Sequence, residues 1–370
     1  MTEKNTSPLE KEKLLQPVRE DLSSLYSNTL QGKPIHSLIS SSTSPQNIQI
    51  DAITHAGVMN SDGVMITIEE QAIQDISSQA FKTLVIFLTQ ATSQLPRGNA
   101  ITAEAIQRGR IVRISLQDYM EECGVKDIKN ARKQLNDSIR ALYSISLEWD
   151  ETGYEKPEGK SRAVKVTKHH RMRITDHTIT PSEKNPIRRG VAEVRLSFDM
   201  AEYLSNSYIM PYHRNLLRIN ANNHPHSFSL GWKLCALHNM NFGKENRANE
   251  TTVQTLLRAA KGIPRYETMA EKGKIYERII QPFERDMRAL EEAGVLTCYW
   301  YYDDMGNRIE GNQLGGLSYT EFSQLNLHYE LSGYPDQTPR LEERSKRIAA
   351  AIGRAKARKE KKEQQESGAE

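Results

Sequence analysis

The chain has 370 residues, a formal net charge of +3, 37% hydrophobic residues and 26% charged residues. This composition is typical of a folded, water-soluble protein, and the length allows two domains or three small ones. Because the net charge is modest, the chain as a whole is not a polycation. Any nucleic-acid interface must therefore come from local clustering of basic residues.

Three protein classes are excluded by simple features. The N-terminus, MTEKNTSPLEKEK, is too polar for a signal peptide, and no apolar run approaches the roughly 20 residues that a membrane-spanning helix needs. The three cysteines form no CxxC pair, so neither a zinc site nor a disulfide framework is indicated. Cys123, Cys235 and Cys298 are predicted to be buried thiols. We expect a cytoplasmic chain with no metal, no cofactor and no membrane contact.

The first half of the chain alternates between helical and strand patterns. Residues 1–62 are predicted to be a flexible region with a Ser-rich linker and a short helix within 14–30. The next predicted elements are a strand or helix start at 64–68, a helix at 78–95, a strand at 110–114, a helix at 115–123 capped by Ser115, a helix at 126–143, a strand at 145–149, a polar loop at 151–160 and a returning strand at 163–174.

The helix predicted at 126–143 has one apolar side and one basic side. Its apolar stripe is Ile128, Ala131, Leu135, Ile139 and Leu142. Basic residues on the rest of the helix and in the segment after it are predicted to contact DNA: Lys126, Lys129, Lys133, Arg140, Lys160, Arg162, Lys165 and Arg171. A helix fits the major groove, and a basic hairpin beside it fits the phosphate backbone. Taken alone, each of these two basic clusters is explained equally well as a charged surface that faces water.

The second half repeats this order of elements. After a connection at 176–190, the patterns predict a strand at 191–198, helices at 200–208, 227–240 and 251–260, a long amphipathic helix that begins at Glu267 and ends at Gly294, and an aromatic strand at 295–302. Residues 303–307 are a turn, and 318–331 close the unit. The polar side of the long helix carries four predicted DNA-binding residues: Lys274, Arg278, Arg285 and Arg288.

Pro282 lies within the long helix. Proline lacks an amide hydrogen, so it either kinks the helix or starts a new one there. That choice decides whether Lys274 and Arg278 lie on the same helix as Arg285 and Arg288. Beyond the second unit, residues 335–370 are predicted to be a basic tail that is either disordered or a frayed helix, because few apolar residues are available to order it.

Enzyme signatures in the sequence are weak. The run Tyr301-Tyr302-Asp303-Asp304 matches the short YxDD pattern of reverse transcriptases, but the helix and glycine before it do not form that scaffold, so a turn is preferred. His224 and His226 resemble the His-x-His pair of rolling-circle nucleases, although the asparagines and proline around them favour a loop that caps the next helix. The glycines at 153–161 miss the phosphate-binding loop spacing.

The predicted fold is α+β, mainly helical, with two tandem winged-helix domains at 63–180 and 181–334 between flexible N- and C-terminal tails. This architecture resembles the Rep initiator proteins of plasmids and related mobile elements. The resemblance is carried by ISLQDYMEECGVKDIKNARKQLNDSIRALYSISLEW in the first unit and by TTVQTLLRAAKGIP and IYERIIQPFERDMRALEEAGVL in the second. The long segment at 150–173 and Pro282 depart from the pattern.

The resemblance implies a non-enzymatic replication initiator. Such a protein binds repeats in double-stranded origin DNA, promotes melting of an adjacent region and recruits a host helicase or helicase loader. It also implies that the first unit can form a homodimer while the second reads DNA. Two alternatives stay open on the sequence: a rolling-circle type nicking endonuclease, and a transcriptional regulator without initiator activity.

Overall fold

The computed structural model describes residues 22–26, 48–61, 63–155, 164–176, 187–207, 209–241, 249–260, 262–269 and 274–334. Most of the predicted N-terminal region and the whole basic tail lie outside these residues. Within the described part of the chain, no helix combines the length and apolar character needed to cross a membrane.

The described residues of the first half form seven strands and four α-helices. The elements are β1 (Leu22–Tyr26), β2 (Gln49–Ile50), β3 (Gly57–Ser61), β4 (Val64–Ile68), α1 (Ser78–Gln94), α2 (Ala103–Gly109), β5 (Ile111–Ser115), α3 (Leu116–Cys123), α4 (Ile128–Tyr143), β6 (Ile145–Glu155) and β7 (Val164–Arg173).

The described residues of the second half form short strands, several short helices and two longer helices. The elements are β8 (Ile187–Arg188), β9 (Val191–Arg195), α5 (Phe198–Ser205), β10 (Ile209–His213), α6 (Asn215–Arg218), α7 (Ser227–Asn241), β11 (Glu250–Thr252), α8 (Val253–Ala259), α9 (Tyr266–Met269), a π-helical turn (Tyr276–Ile280), α10 (Gln281–Glu292), β12 (Leu296–Tyr302), β13 (Arg308–Ile309), α11 (Tyr319–Gln324) and β14 (Asn326–Leu331).

The described strands form four antiparallel sheets. The strand orders are β2-β3-β4-β6-β7, β5-β9-β8, β1-β10 and β11-β14-β12-β13. The helices pack against these sheets, with α1 against α4 and α10 against α7 and β12. The predicted mixture of helices and strands is therefore confirmed.

The capping residues at the helix ends lie where the sequence predicts them. The hydroxyl of Ser115 accepts a hydrogen bond from the amide of Asp118 at 3.0 Å, and the Asp118 carboxylate accepts from the Ser115 amide, which starts α3. Gly124 ends α3 with φ of 67°, and Gly294 follows α10 with φ of 69°. Both conformations are left-handed, where glycine has no steric penalty.

One expectation about the N-terminal half is wrong, and two strand pairings cross the predicted domain boundaries. Residues 22–26 form a strand paired with β10, not part of a helix, because strand pairing is set by a partner far along the chain. β3 pairs with β4, so the first sheet begins before the predicted boundary at residue 63. β9, which follows the predicted boundary at residue 180, pairs with β5 of the first unit.

The short helix α6 connects the two halves. The guanidinium of Arg214 pairs with the carboxylate of Glu122 on α3. The side-chain amide of Asn215 donates to the carbonyl of Ala293, just after α10, at 2.8 Å. The ammonium of Lys82 on α1 donates to the carbonyl of Ile219, just after α6. These contacts join α1 and α3 to the end of α10 through α6.

The cysteines only partly follow the prediction that all three are buried. Cys123 and Cys235 are buried, whereas Cys298 is partly exposed. Among the tryptophans, Trp232 is buried against Tyr212, with ring centroids 5.6 Å apart. Trp300 is only half-buried and stacks on a histidine of β14, because its position in β12 faces away from the helices.

Candidate nucleic-acid interface

The helix α4 begins two residues later than predicted. The carboxylate of Asp127 accepts a hydrogen bond from the Asn130 amide at 2.8 Å and caps the helix, so Lys126 lies in the preceding turn. Ile128 is the first helical residue and is 58% exposed, so the prediction that it is buried is wrong. The rest of the predicted buried stripe is confirmed: Ala131, Leu135, Ile139 and Leu142.

The opposite side of α4 forms a basic surface, which we call the α4 face. Its residues recur three or four positions apart along one side of the helix: Ile128, Lys129, Arg132, Lys133, Asn136, Asp137 and Arg140. Arg132 was not among the predicted site residues, although its spacing from Lys129 could have identified it. In the described part of the chain, no carboxylate forms an ion pair with Lys129, Arg132 or Lys133.

The hairpin β6–β7 is longer than predicted. The sequence places the end of the first strand at Trp149 and a loop from residue 151, but the pairing continues to Glu155, opposite Val164. The loop prediction for 151–155 is wrong because cross-strand hydrogen bonds override the weak strand propensity of this polar segment. Lys160 and Arg162 lie outside the described residues.

Acidic residues on β6 face the basic residues of β7. Arg171 pairs with Glu148, with 3.0 Å between Nε and Oε1. The imidazole of His169 lies 2.9 Å from a carboxylate oxygen of Asp150. The predicted DNA contact Arg171 is thus partly neutralised within the hairpin. Lys165 is exposed near the start of β7.

The π-helical turn explains how the helix continues past Pro282. The amide of Gln281 donates to the carbonyl of Tyr276, five residues earlier, so the turn before the proline is wider than an α-helical turn. Pro282 is the second residue of α10, and the wider turn before it accommodates the missing amide. The helix therefore continues through the proline from Ile275 to Glu292.

This helix starts later than predicted. The sequence predicts a single helix from Glu267, but α9 covers Tyr266–Met269 and Lys274 is not helical. The amide of Arg278 donates to the carbonyl of Lys274, which places Lys274 at the first turn. All four predicted contacts on this helix are exposed: Lys274, Arg278, Arg285 and Arg288.

Arg285 is bound to a buried carboxylate on its own helix. Its Nε donates to Asp286 Oδ1 at 2.9 Å, while Asp286 Oδ2 accepts from the amide of His226 at 2.7 Å. Asp286 is fully buried and also lies 3.6 Å from the imidazole of His224. Asp286 therefore joins α10 to the start of α7 and holds the guanidinium of Arg285 near the helix.

The backbone of the two loop histidines caps the start of α7. The carbonyl of His224 accepts from the Ser227 hydroxyl, and the carbonyl of His226 accepts from the Leu230 amide. Burial lowers the pKa of His226, which keeps the imidazole neutral. The interpretation of these residues as a helix-capping loop is confirmed. In the described part of the chain, no three His, Cys, Asp or Glu side chains are placed to hold a metal ion.

Arg288 is bound in a similar way by Glu284. Its Nε lies 3.4 Å from Glu284 Oε1, and the same carboxylate accepts hydrogen bonds from the hydroxyls of Tyr299 at 2.9 Å and Tyr301 at 2.6 Å. A groove of about 480 Å³ runs along this face of α10, which we call the α10 groove. It also contains acidic side chains, among them Glu292. The α10 groove therefore has mixed charge.

The tip of the β12–β13 hairpin is acidic. Asp303 Oδ1 accepts from the amides of Met305 at 2.9 Å and Asn307 at 2.8 Å, which closes the turn. The interpretation of Asp303 as a turn residue is thus confirmed. An acidic tip is unsuited to a phosphate backbone, so the two hairpins of this chain differ in charge.

Comparison with known families settles the nature of the first unit. Residues 71–230 match the family model described as Initiator Replication protein, WH1. Over these residues the chain matches replication initiators of the Rep type. Its WH1 domain has the predicted winged-helix fold and extends past residue 180, through β9 and β10, to the start of α7. The second winged-helix domain stays a prediction.

Other comparisons add little. No curated protein matches the chain. Two crystal structures of domains 2 and 3 of RctB, one of them a selenomethionine derivative, are each 12% identical to this chain and cover 80% of it and 96% of their own chains. Their TM-scores are 0.41 and 0.37, too low for the likeness to carry an argument. The α4 face lies within the WH1 domain, whereas the α10 groove lies beyond it.

Proposed function

We propose that this initiator binds double-stranded origin DNA in a sequence-specific way. The observation that carries the proposal is the α4 face, an exposed basic helix surface inside a replication-initiator WH1 domain. Its three cations without carboxylate partners, Lys129, Arg132 and Lys133, are spaced to follow a phosphate backbone or enter a major groove.

The α10 groove supplies the second contact of the proposal. Arg285 and Arg288 are exposed, and each is bound to a carboxylate that other protein groups hold in place. Arginines in fixed positions suit bidentate contact with base edges better than mobile ones, because less side-chain entropy is lost on binding. We therefore assign phosphate binding mainly to the α4 face and base reading mainly to the α10 groove.

The proposed role includes three further steps taken from the resemblance to Rep initiators. The protein promotes melting beside its binding repeats, recruits a host helicase or helicase loader in the cytoplasm, and forms a homodimer through its first unit. It performs these steps by binding, without catalysing nucleotidyl transfer or DNA cleavage.

A duplex selection followed by a salt titration tests DNA binding. The full chain is used to select binding sites from a randomised duplex library, and the affinity for the selected site is measured by fluorescence anisotropy at several salt concentrations. If Lys129, Arg132 and Lys133 each neutralise one phosphate, replacing all three by alanine should reduce the salt slope by about 2.7. Arg113→Ala, which removes an exposed cation from β5, is the matched control.

Absence of any selected sequence, or a salt slope unchanged in the triple variant, contradicts this function. A nicking activity is tested separately with supercoiled origin plasmid and Mn²⁺. A covalent tyrosyl–DNA adduct that is lost in His226→Ala would replace the proposal with the nuclease alternative. Maintenance of an origin-bearing plasmid in vivo distinguishes an initiator from a transcriptional regulator.

A further inference from the structure

The carboxylate of Glu284 is held from two sides. From the neighbouring strand β12, the hydroxyls of Tyr299 and Tyr301 donate to different oxygens of the carboxylate, at 2.9 Å and 2.6 Å. From one helical turn further along α10, Nε of Arg288 approaches Oε1 at 3.4 Å. The Glu284 side chain is 13% exposed, whereas that of Arg288 is 60% exposed. The acid is therefore buried under a guanidinium that faces solvent.

Hydrogen bonds to both oxygens restrict rotation of this carboxylate. Burial, followed by the negative charge of Glu284, raises the pKa of Tyr299 and of Tyr301 far above their ordinary values, so both hydroxyls keep their protons and remain donors. Hydrogen bonds between a hydroxyl and a carboxylate are charge-assisted and short. Glu284 thus forms a fixed acceptor on the surface of α10, and its position is set by β12.

An ordinary surface ion pair between residues four apart on a helix contributes little and holds neither side chain firmly. The ion pair between Glu284 and Arg288 differs because the two tyrosine hydroxyls already hold the carboxylate of Glu284 in place. Since the contact with Glu284 uses Nε of Arg288, a bidentate contact with guanine would come from the two Nη nitrogens.

We propose that Glu284 is a positioning residue that, held by Tyr299 and Tyr301, orients Arg288 to read a base in the α10 groove. This inference rests on the proposed function, because it assigns a reading role to Arg288. The strand β12 then contributes to sequence recognition through the helix, without a DNA contact of its own. The opposing view is that Glu284 is only a negative charge that weakens binding to every DNA sequence.

The two views predict opposite results for Glu284→Gln. If Glu284 orients Arg288, the ratio of affinities for the selected site and for a site changed at the Arg288-dependent base should fall by roughly tenfold or more. Arg288→Ala should then cause no further loss of that ratio in the Glu284→Gln background. If Glu284 only repels phosphates, Glu284→Gln should bind all sequences more tightly with an unchanged ratio, which overturns the proposal.

Two further variants separate positioning from stability and charge. Glu292→Gln removes the same charge from the same groove but from an exposed residue, so it should leave the ratio unchanged. Tyr301→Phe retains the buried ring and removes one hydrogen bond to Glu284, so it should lower the ratio by a smaller factor. Thermal melts of every variant show whether the folded state persists under the binding conditions.

A measurement without DNA distinguishes failure of this inference from failure of the proposed function. In the free protein, the Nε–H resonance of Arg288 should be protected from solvent exchange, lose protection in Glu284→Gln and keep it in Glu292→Gln. Protection without any sequence-specific binding would refute the proposed function and the reading role of Arg288. Specific binding whose discrimination survives Glu284→Gln would refute the positioning role alone.

Discussion

Lys82 offers a sharp test of the described packing between the two halves. It lies on α1 with its side chain 2% exposed, and its ammonium donates to the carbonyl of Ile219 and lies 5.8 Å from the ring centroid of Phe228. Burial lowers its pKa from 10.5 to about 8. Replacing it by methionine removes the amine but keeps the length and apolar stem of the side chain.

The magnitude follows from the pKa shift. In the folded state Lys82 loses its proton near pH 8, and in the unfolded chain near 10.5, so the unfolded state binds more protons between these values. The free energy of unfolding must therefore rise with pH through this window. The full cost of burying the charge at pH 7 is about 3 kcal/mol, and about 2 kcal/mol of it should be recovered by pH 9.5.

Urea denaturation of both proteins between pH 7 and 9.5 provides the measurement. The stability of Lys82→Met relative to the natural chain should fall by about 2 kcal/mol across this range, while contributions from other titrating groups cancel in the difference. Lys133→Met on the exposed α4 face is the control, with a pH dependence parallel to that of the natural chain. If the free energy of unfolding of Lys82→Met had the same pH dependence as that of the natural chain, Lys82 would be hydrated in the folded state. That result would refute the described packing of Lys82 against the second half.

Three further predictions concern stability and are measured by urea denaturation. Asp286→Ala should lower the free energy of unfolding by about 2–4 kcal/mol, because it leaves the buried amide of His226 without an acceptor; a loss no larger than that of Asp286→Asn would contradict this. Gly294→Ala should cost about 1 kcal/mol from its φ of 69° alone, since the nearest atom to an added Cβ is Asn215 Nδ2 at 4.0 Å; an unchanged stability would argue against the left-handed cap. Ser115→Ala should cost about 1 kcal/mol by removing the cap of α3, whereas Ser115→Thr should retain most of it.

The features that could be predicted from the sequence depend on residues close together in the chain. The stripe of α4, the Ser115 cap and the glycine after α10 all follow from side-chain periodicity and backbone preference within one or two helical turns. The resemblance to Rep initiators rested on the same local order of elements, and the WH1 match bears it out for residues 71–230.

Only the tertiary structure decided which charged groups meet. Glu284 is separated from Tyr301 by 17 positions, Asp286 from His226 by 60, and Lys82 from Ile219 by 137. Periodicity places Arg285 and Arg288 on a polar helix side, but it cannot show that each guanidinium faces a carboxylate held from elsewhere. The free energy of such contacts depends on burial and distance between remote segments, so the sequence alone determines the basic surfaces and the fold determines how their residues are oriented.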